Sequence, residues 1–253
     1  MTRPLIAIIP SYARPLLLQR SLEMVRNHVK PDAILELEQP LGSPLGSALA
    51  RRTLVTQAVD RYGAATAILS LDDDLDLNGK TTPDDFRAAV DVLDEHAGIG
   101  IIQLPNRHAP SGKPMSLLVP ACHAFIINGE MVAKGVNYDP IEYSNDTTMS
   151  LLAYFAGWSV VTTGRATVKH AVSQRGKIDR SGGGIEGAYR DGIRVVCRQL
   201  PAWRDAGWLT YDVGSRDGVE LPTPYSSIRI TPAGREAHRA ARSALGFRFG
   251  GRQ

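Results

Sequence analysis

The chain has 253 residues, enough for one substantial domain with at most a small appendage, and its 43% hydrophobic and 22% charged content excludes disordered, collagen-like and disulfide-scaffold classes. Its 29 Lys and Arg residues outnumber its 26 Asp and Glu by only three, but the distribution is uneven. Residues 1–164 hold 13 basic against 18 acidic residues and residues 165–253 hold 16 against 8, so an anionic partner is expected at the C-terminal third.

Leu5 to Ile9 is a continuous apolar run ending at Pro10, as in a strand buried on both faces. Pro15 opens a helix over 15–28, with Leu17, Leu18, Leu22 and Val25 on its apolar side. Ala33 to Leu37 reads as a second strand, Gly42-Ser43-Pro44 as a break, and Ser47 to Arg61 as a helix. Ala64 to Leu71 is a third buried strand and runs straight into Asp72-Asp73-Asp74. Pro83 starts another helix, and Gly98 to Leu104 is a fourth strand. This alternation predicts an α/β fold with a parallel sheet and helices on both faces.

After Pro105 the pattern loosens. A polar loop over 106–114 precedes a strand-like run from Leu117 to Ile127 that Pro120 interrupts. A helix is predicted from Asp146 to Phe155, then a strand from Ser159 to Thr163. Residues 171–185, with Gly182-Gly183-Gly184, read as a polar loop, followed by helices over 185–204 and near 233–245. Cys122 and Cys197 have no partners at metal-ligand spacing and read as free thiols of a reducing compartment. The apolar part of the N-terminus is too short for a signal peptide, and the run from Leu151 to Val161 is too short for a membrane span. The expectation is a soluble cytoplasmic protein with no membrane partner.

Open α/β sheets bind ligands at the carboxyl ends of their strands. Three consecutive aspartates there repel one another unless a cation neutralises them. With side chains alternating, Asp72 and Asp74 share one side and offer hard oxygen ligands to Mn2+ or Mg2+, which in turn suits a diphosphate. The competing reading is an acidic turn whose aspartates cap a helix.

Four segments in order over residues 4–170 carry a family resemblance. Pro10-Ser11-Tyr12-Ala13-Arg14-Pro15 resembles the opening P-T/S-Y-x-R-P of glycosyltransferases with the GT-A, or nucleotide-diphospho-sugar transferase, fold. Gly46 to Arg52 is similar to that family's G-x-x-x-A-R-N, with Arg52 in the Asn position, and Asp72-Asp73-Asp74 to its D-x-D motif. Asn145-Asp146 through Gly157-Trp158 resembles E-D-x-x-x-x-x-L…G-W, with Asn145 replacing Glu. The resemblance implies a GT-A-like (Rossmann-like), mainly parallel mixed sheet flanked by helices. It implies donor binding by Pro10, Ser11, Tyr12, Arg14, Arg51, Asp72 and Asp73, and a metal held by Asp72, Asp74 and His170. Asp74 then acts catalytically, and Asp146 serves as general base on the acceptor side, with Glu142 as its rival. Beyond His170, Lys177 with Arg175 and Arg180 beside the glycines suits a lid over the leaving diphosphate, and a solvated basic loop is the alternative.

The C-terminal third resembles the latter half of a winged-helix module. Leu200 to Leu209 matches its helix-to-strand segment, Asp217-Gly218 a wing tip, and Ile230 to Glu236 its final L-T-P-x-G-R-E. The preceding helix would carry Arg190, Arg194 and Arg198 at i, i+4 and i+8 on one face, toward DNA phosphates or toward plain solvent. The division expected is a catalytic core over 1–180 and a basic acceptor or DNA-binding region over 181–253. The combination resembles the phage-type, TET/JBP-associated glycosyltransferases that modify hydroxymethylated bases in duplex DNA, which in a phage would act in the host cytoplasm. The expected function is metal-dependent transfer from a nucleotide-diphosphate sugar, a UDP-sugar first, to an acceptor hydroxyl. The alternatives are a nucleotidyltransferase on a related fold and an inactive, nucleic-acid-binding GT-A-like protein.

Overall fold

The computed structural model describes residues 3–12, 14–39, 47–77, 81–104, 115–116, 124–138, 145–170, 200–216, 219–222 and 228–247. Its main sheet has seven strands: β1 (Leu5–Tyr12), β2 (Ala33–Gln39), β3 (Ala67–Leu71), β5 (Ile99–Gln103), β6 (Met115–Ser116), β7 (Ala124–Asn128) and β8 (Ser159–Thr162). They lie in the order β2-β1-β3-β7-β5-β8-β6. The pairs β1·β2, β1·β3 and β5·β8 are parallel, whereas β7 runs antiparallel between β3 and β5, and β6 antiparallel to β8. The sheet is therefore mixed and mainly parallel. A short ladder joins β4 (Leu75–Asp76) to β9 (Lys169–His170), with Leu75 opposite His170.

The apolar run of β1 is fully buried because both of its faces are covered. Leu5, Ala7 and Ile9 join a core with Leu18, Leu22 and Val25 of α1 (Pro15–His28) and Phe86, Ala89 and Leu93 of α3 (Pro83–Glu95). Ile6 and Ile8 face the opposite core, with Leu54, Val55 and Ala58 of α2 (Ser47–Tyr62), Met131 of α4 (Gly129–Ala133), and Met149 and Ala153 of α5 (Asn145–Phe155). Helix α3 starts where its sequence dictates: Thr82 and Asp85 form a reciprocal capping box, with Pro83 in the first turn. Helix α4 spans five residues, too few for an apolar period, and Asn128 caps it by accepting from the Glu130 backbone.

Residues 200–205 are helical (α6). They lead into β10 (Leu209–Thr210), the hairpin β11 (Val213–Arg216) and β12 (Val219–Pro222), then β13 (Arg229–Ile230), which returns antiparallel to β10. Leu200, Leu209, Ile228 and Ile230 form a third cluster with Leu151 and Tyr154 of α5. Helix α7 (Pro232–Ala244), capped by Thr231, lies against α5 and the start of the main sheet. There Arg242 donates to the carbonyls of Ala97, Gly98 and Gly157 and to the Ser159 hydroxyl. Part of the C-terminal third is thus fastened to the first 170 residues.

Gly157 is required at this seam. It has φ +90°, and a Cβ there would stand 2.6 Å from the Arg242 nitrogen and 2.7 Å from the Ala241 carbonyl carbon. Left-handed strain and overpacking each cost about 1–3 kcal/mol. Gly157→Ala should therefore destabilise the fold by about 3 kcal/mol and lower Tm by roughly 6–12 °C, read by calorimetry.

His238 of α7 stacks on Tyr154 with ring centroids 4.0 Å apart, and its Nδ1 lies 2.6 Å from the Tyr154 carbonyl oxygen. That contact fixes the neutral ring with its proton on Nδ1. Burial pushes the His238 pKa below its ordinary value; the carbonyl bond opposes this, and the charges of Arg242 and Arg239 add to it. As pH falls below the free histidine value of about 6.5, the unfolded chain takes the proton before the native one does. Stability should decline with falling pH in that window, and urea titrations should show a shallower decline for His238→Gln.

Candidate functional site

The carboxyl ends of β1, β3, β5 and β8 share one edge of the sheet, and the aspartate cluster follows β3 there. Leu69 and Leu71 face α1 and α3, while Ile68 faces α2. Continued through the cluster, this alternation sends Asp72 toward α2 and Asp73 toward α1. The contacts agree. Arg51 of α2 pairs with the Asp72 carboxylate, whereas Asp73 accepts from the Ser11 hydroxyl at 2.6 Å and from Arg14 Nη2 at 2.6 Å. The Ser21 hydroxyl of α1 donates to the Asp73 carbonyl at 2.8 Å.

The chain then turns at Asp73 and Asp74, so the strand alternation stops. Arg14 Nη1 lies 3.5 Å from Asp74 Oδ2, which places Asp74 beside the same guanidinium as Asp73. Asp73 is 1% exposed, Asp74 10% and Asp72 25%, so the two outer carboxylates open more to solvent than the middle one. Burial pushes the Asp73 carboxyl above the usual range, while the Ser11 hydrogen bond and the Arg14 charge pull it back. Both partners are donors, which suits an ionised carboxylate.

Of the other expected donor-site residues, Pro10 and Ser11 are buried in β1, and Tyr12 ends that strand. Arg14 occupies the N-cap position of α1. Arg52, in the Asn position of the motif, donates to the Tyr138 carbonyl at 3.3 Å. Asp146 lies in the first turn of α5. The far end of that helix meets the amino edge of the sheet, where Ser159 donates to the Gly98 carbonyl at 2.8 Å. Eleven residues at about 1.5 Å each carry its N-terminus toward the edge that holds the aspartates. His170 lies in β9, beside the strand that follows Asp74. Glu142, Arg175, Lys177, Arg180, Arg190, Arg194 and Arg198 lie outside the described residues.

Two contributors are not among the expected residues. Ser21 sits among Leu18, Leu22 and Val25 on the buried side of α1, and a hydroxyl in an apolar stripe is a sign that something is bonded there. Thr81 and Thr167, both buried, bond each other through Oγ1 at 3.0 Å; Thr81 Oγ1 also donates to the Thr167 carbonyl at 2.9 Å. This pair joins the segment after the cluster to the one before His170, and nothing in the sequence announced it.

Three carboxylates face two guanidiniums in these contacts, leaving one net negative charge. Among the described residues no three such ligands converge as a complete metal site, but the two more open carboxylates, Asp72 and Asp74, offer hard oxygens that suit Mn2+ or Mg2+ with the rest of its shell supplied by another ligand. Arg14 and Arg51 flank the same place, where an oxyanion would meet positive charge.

No protein-family model matches the chain, and no curated protein matches it in sequence. In three dimensions it is similar to the mannosyltransferase PcManGT from Pyrobaculum calidifontis, solved with GDP-Man and Mn2+. The TM-score is 0.57 and the identity 16%, covering 95% of this chain and 69% of that one. It is also similar to glucosyl-3-phosphoglycerate synthase from Mycobacterium tuberculosis, solved with Mn2+, UDP-glucose and phosphoglyceric acid. There the TM-score is 0.51 and the identity 12%, covering 91% of this chain and 87% of that one. At such identities the likeness defines the fold: the chain has the GT-A fold, a mixed, mainly parallel sheet flanked by helices. Among the described residues, no helix is long and apolar enough to cross a membrane.

Proposed function

We propose that the chain is a metal-dependent glycosyltransferase that takes a sugar from a nucleotide-diphosphate donor, a UDP-sugar first, and passes it to an acceptor hydroxyl. The carrying observation is the aspartate turn at the carboxyl end of β3, held between Arg51 and Arg14 on a GT-A fold. Two structural relatives, solved with GDP-Man or UDP-glucose and with Mn2+, support the same reading. In it, Asp72 and Asp74, with His170, hold Mn2+ or Mg2+. When bound, the ion supplies charge stabilisation to the departing diphosphate. The chain's own part is to orient and exclude. Pro10, Ser11 and Tyr12 at the end of β1 stand on the nucleotide side of the donor, and Arg14 at the start of α1 stands toward its diphosphate. Arg51 fixes Asp72, and Lys177, outside the described residues, is proposed to meet the charge of the diphosphate. Asp146 takes the acceptor proton if the reaction inverts.

The division of labour is a core over residues 1–180 and an acceptor region over 181–253, acting in the cytoplasm. For the acceptor we favour a hydroxymethylated base in duplex DNA. What supports it is the order α6, β10, the antiparallel pair β11 and β12, β13 and a capped α7, the order expected of the latter half of a winged-helix module. Arg190, Arg194 and Arg198 are proposed to track phosphates ahead of it.

One experiment tests both levels. A panel of nucleotide sugars is incubated with the protein and Mn2+, with and without hydroxymethylated duplex DNA. Released nucleoside diphosphate and nucleoside mass are then read. Metal-dependent release from one donor is expected, with a hexose or pentose mass added to the modified nucleoside. Release without mass gain on DNA would remove the DNA acceptor alone, and no release from any donor, with or without metal, would remove the transferase reading.

A further inference from the structure

Arg14 lies between two carboxylates and divides itself unequally: 2.6 Å from Asp73 and 3.5 Å from Asp74. Asp73 is the buried one, and it is tied from three sides. Ser11 holds its carboxylate, Ser21 holds its carbonyl, and Arg14 closes the set. A carboxylate that is 1% exposed and already occupied by two donors has no open face for a metal or a sugar. Its negative charge nevertheless sits where it decides which neighbour Arg14 neutralises.

Resting on the transferase reading above, we propose that Asp73 is a positioning residue: it anchors Arg14 and balances its charge, so that the guanidinium makes only its longer contact with Asp74 and stays at the site's edge for the donor diphosphate. Without the Asp73 charge, Arg14 is left with Asp74 as its nearest carboxylate. The Arg14 charge, balanced by Asp73 in the wild type, is then uncompensated, and an uncompensated unit charge about 4 Å from a metal site opposes the cation by several kcal/mol in a partly screened environment. The middle aspartate of the cluster thus governs metal affinity without touching metal, and diphosphate affinity through the arginine it holds. Ser11 and Ser21 belong to the same device, since they fix the carboxylate and its backbone while Arg14 remains 26% exposed.

The test is Mn2+ binding by the full chain, followed by electron paramagnetic resonance without nucleotide, and UDP and GDP binding by calorimetry with Mn2+ present. Asp73→Asn is near-isosteric and keeps an acceptor for Ser11; circular dichroism establishes that it folds. It should bind Mn2+ at least about tenfold more weakly than the wild type, given the size of the opposing charge. The double variant Asp73→Asn/Arg14→Gln should return to within about threefold of wild-type Mn2+ affinity, because the competing charge is gone. UDP and GDP should stay weak in the double variant. A purely structural role for Asp73 gives no such rescue.

Arg14→Gln alone, which leaves the aspartates intact, should match or exceed wild-type Mn2+ affinity while losing diphosphate affinity. The inference is overturned if Asp73→Asn binds Mn2+ like the wild type, if the double variant is as weak as Asp73→Asn, or if Arg14→Gln alone weakens Mn2+. A wild-type protein that binds UDP or GDP but no Mn2+ would instead sink the metal reading on which it rests.

Discussion

Asp74→Asn should reduce donor turnover by about a thousandfold while leaving the fold near wild-type stability. The expectation combines two observations. Asp74 is one of the two more open carboxylates of the cluster, and its contact with Arg14, at 3.5 Å, is the looser of the two that arginine makes. Asparagine retains an oxygen of similar placement, so the turn at 73–74 keeps its geometry and little stability is lost. It removes the charge on which a divalent ion depends. Lewis-acid stabilisation of a leaving diphosphate is worth several kcal/mol, and each 1.36 kcal/mol is a factor of ten, which gives about three decades. The measurement is kcat/KM for donor hydrolysis at saturating Mn2+, beside a denaturation curve. Activity within tenfold of wild type, with the curve unchanged, would show that Asp74 is not in the reacting shell.

How much of this was legible beforehand follows from which signals are local. The both-faces burial of β1, the start of α1 at Pro15 and of α3 at Pro83, and the placement of the aspartates after β3 are written in short runs of residues. Local periodicity cannot report strand direction. Ala124 to Ile127 is as continuously apolar as a parallel strand, yet β7 enters between β3 and β5 in the opposite sense. The two-residue strands β4 and β9 and the five-residue α4 are too short to show any period. At the site, period-two reasoning placed Asp72 and Asp74 on one side. Strand alternation holds as far as Asp73; at Asp74 the backbone turns and Arg14 reaches both Asp73 and Asp74, so a joint role of Asp72 and Asp74 depends on the turn and not on alternation. The partners of the cluster are 21 to 62 positions away in sequence and meet only through the sheet order, so no spacing rule could have paired Ser11 with Asp73 or Arg51 with Asp72.

The pair of Arg51 and Asp72 separates stability from function. Arg51 is 8% exposed and Asp72 25%, so the two ends of the pair are not equivalent. Asp72→Asn leaves a buried guanidinium short of its counter-charge, a situation that costs about 3 kcal/mol or more. Arg51→Met fills the space with an apolar side chain and leaves the more exposed carboxylate to water, a cost of about 1 kcal/mol. Replacing both ends removes the stranded charge, and a buried pair exchanged for a less charged one is often neutral. The expected order of urea midpoints is therefore wild type and double variant highest, Arg51→Met slightly lower, and Asp72→Asn lowest. Nucleotide binding should follow a different order, with both Asp72→Asn and the double variant losing Mn2+-dependent affinity for UDP or GDP. A double variant as stable as the wild type, yet unable to bind donor, shows that the pair is kept for its charge at the site. If the double variant is the least stable of the four, the pair is structural and the placement of Asp72 at the metal fails with it.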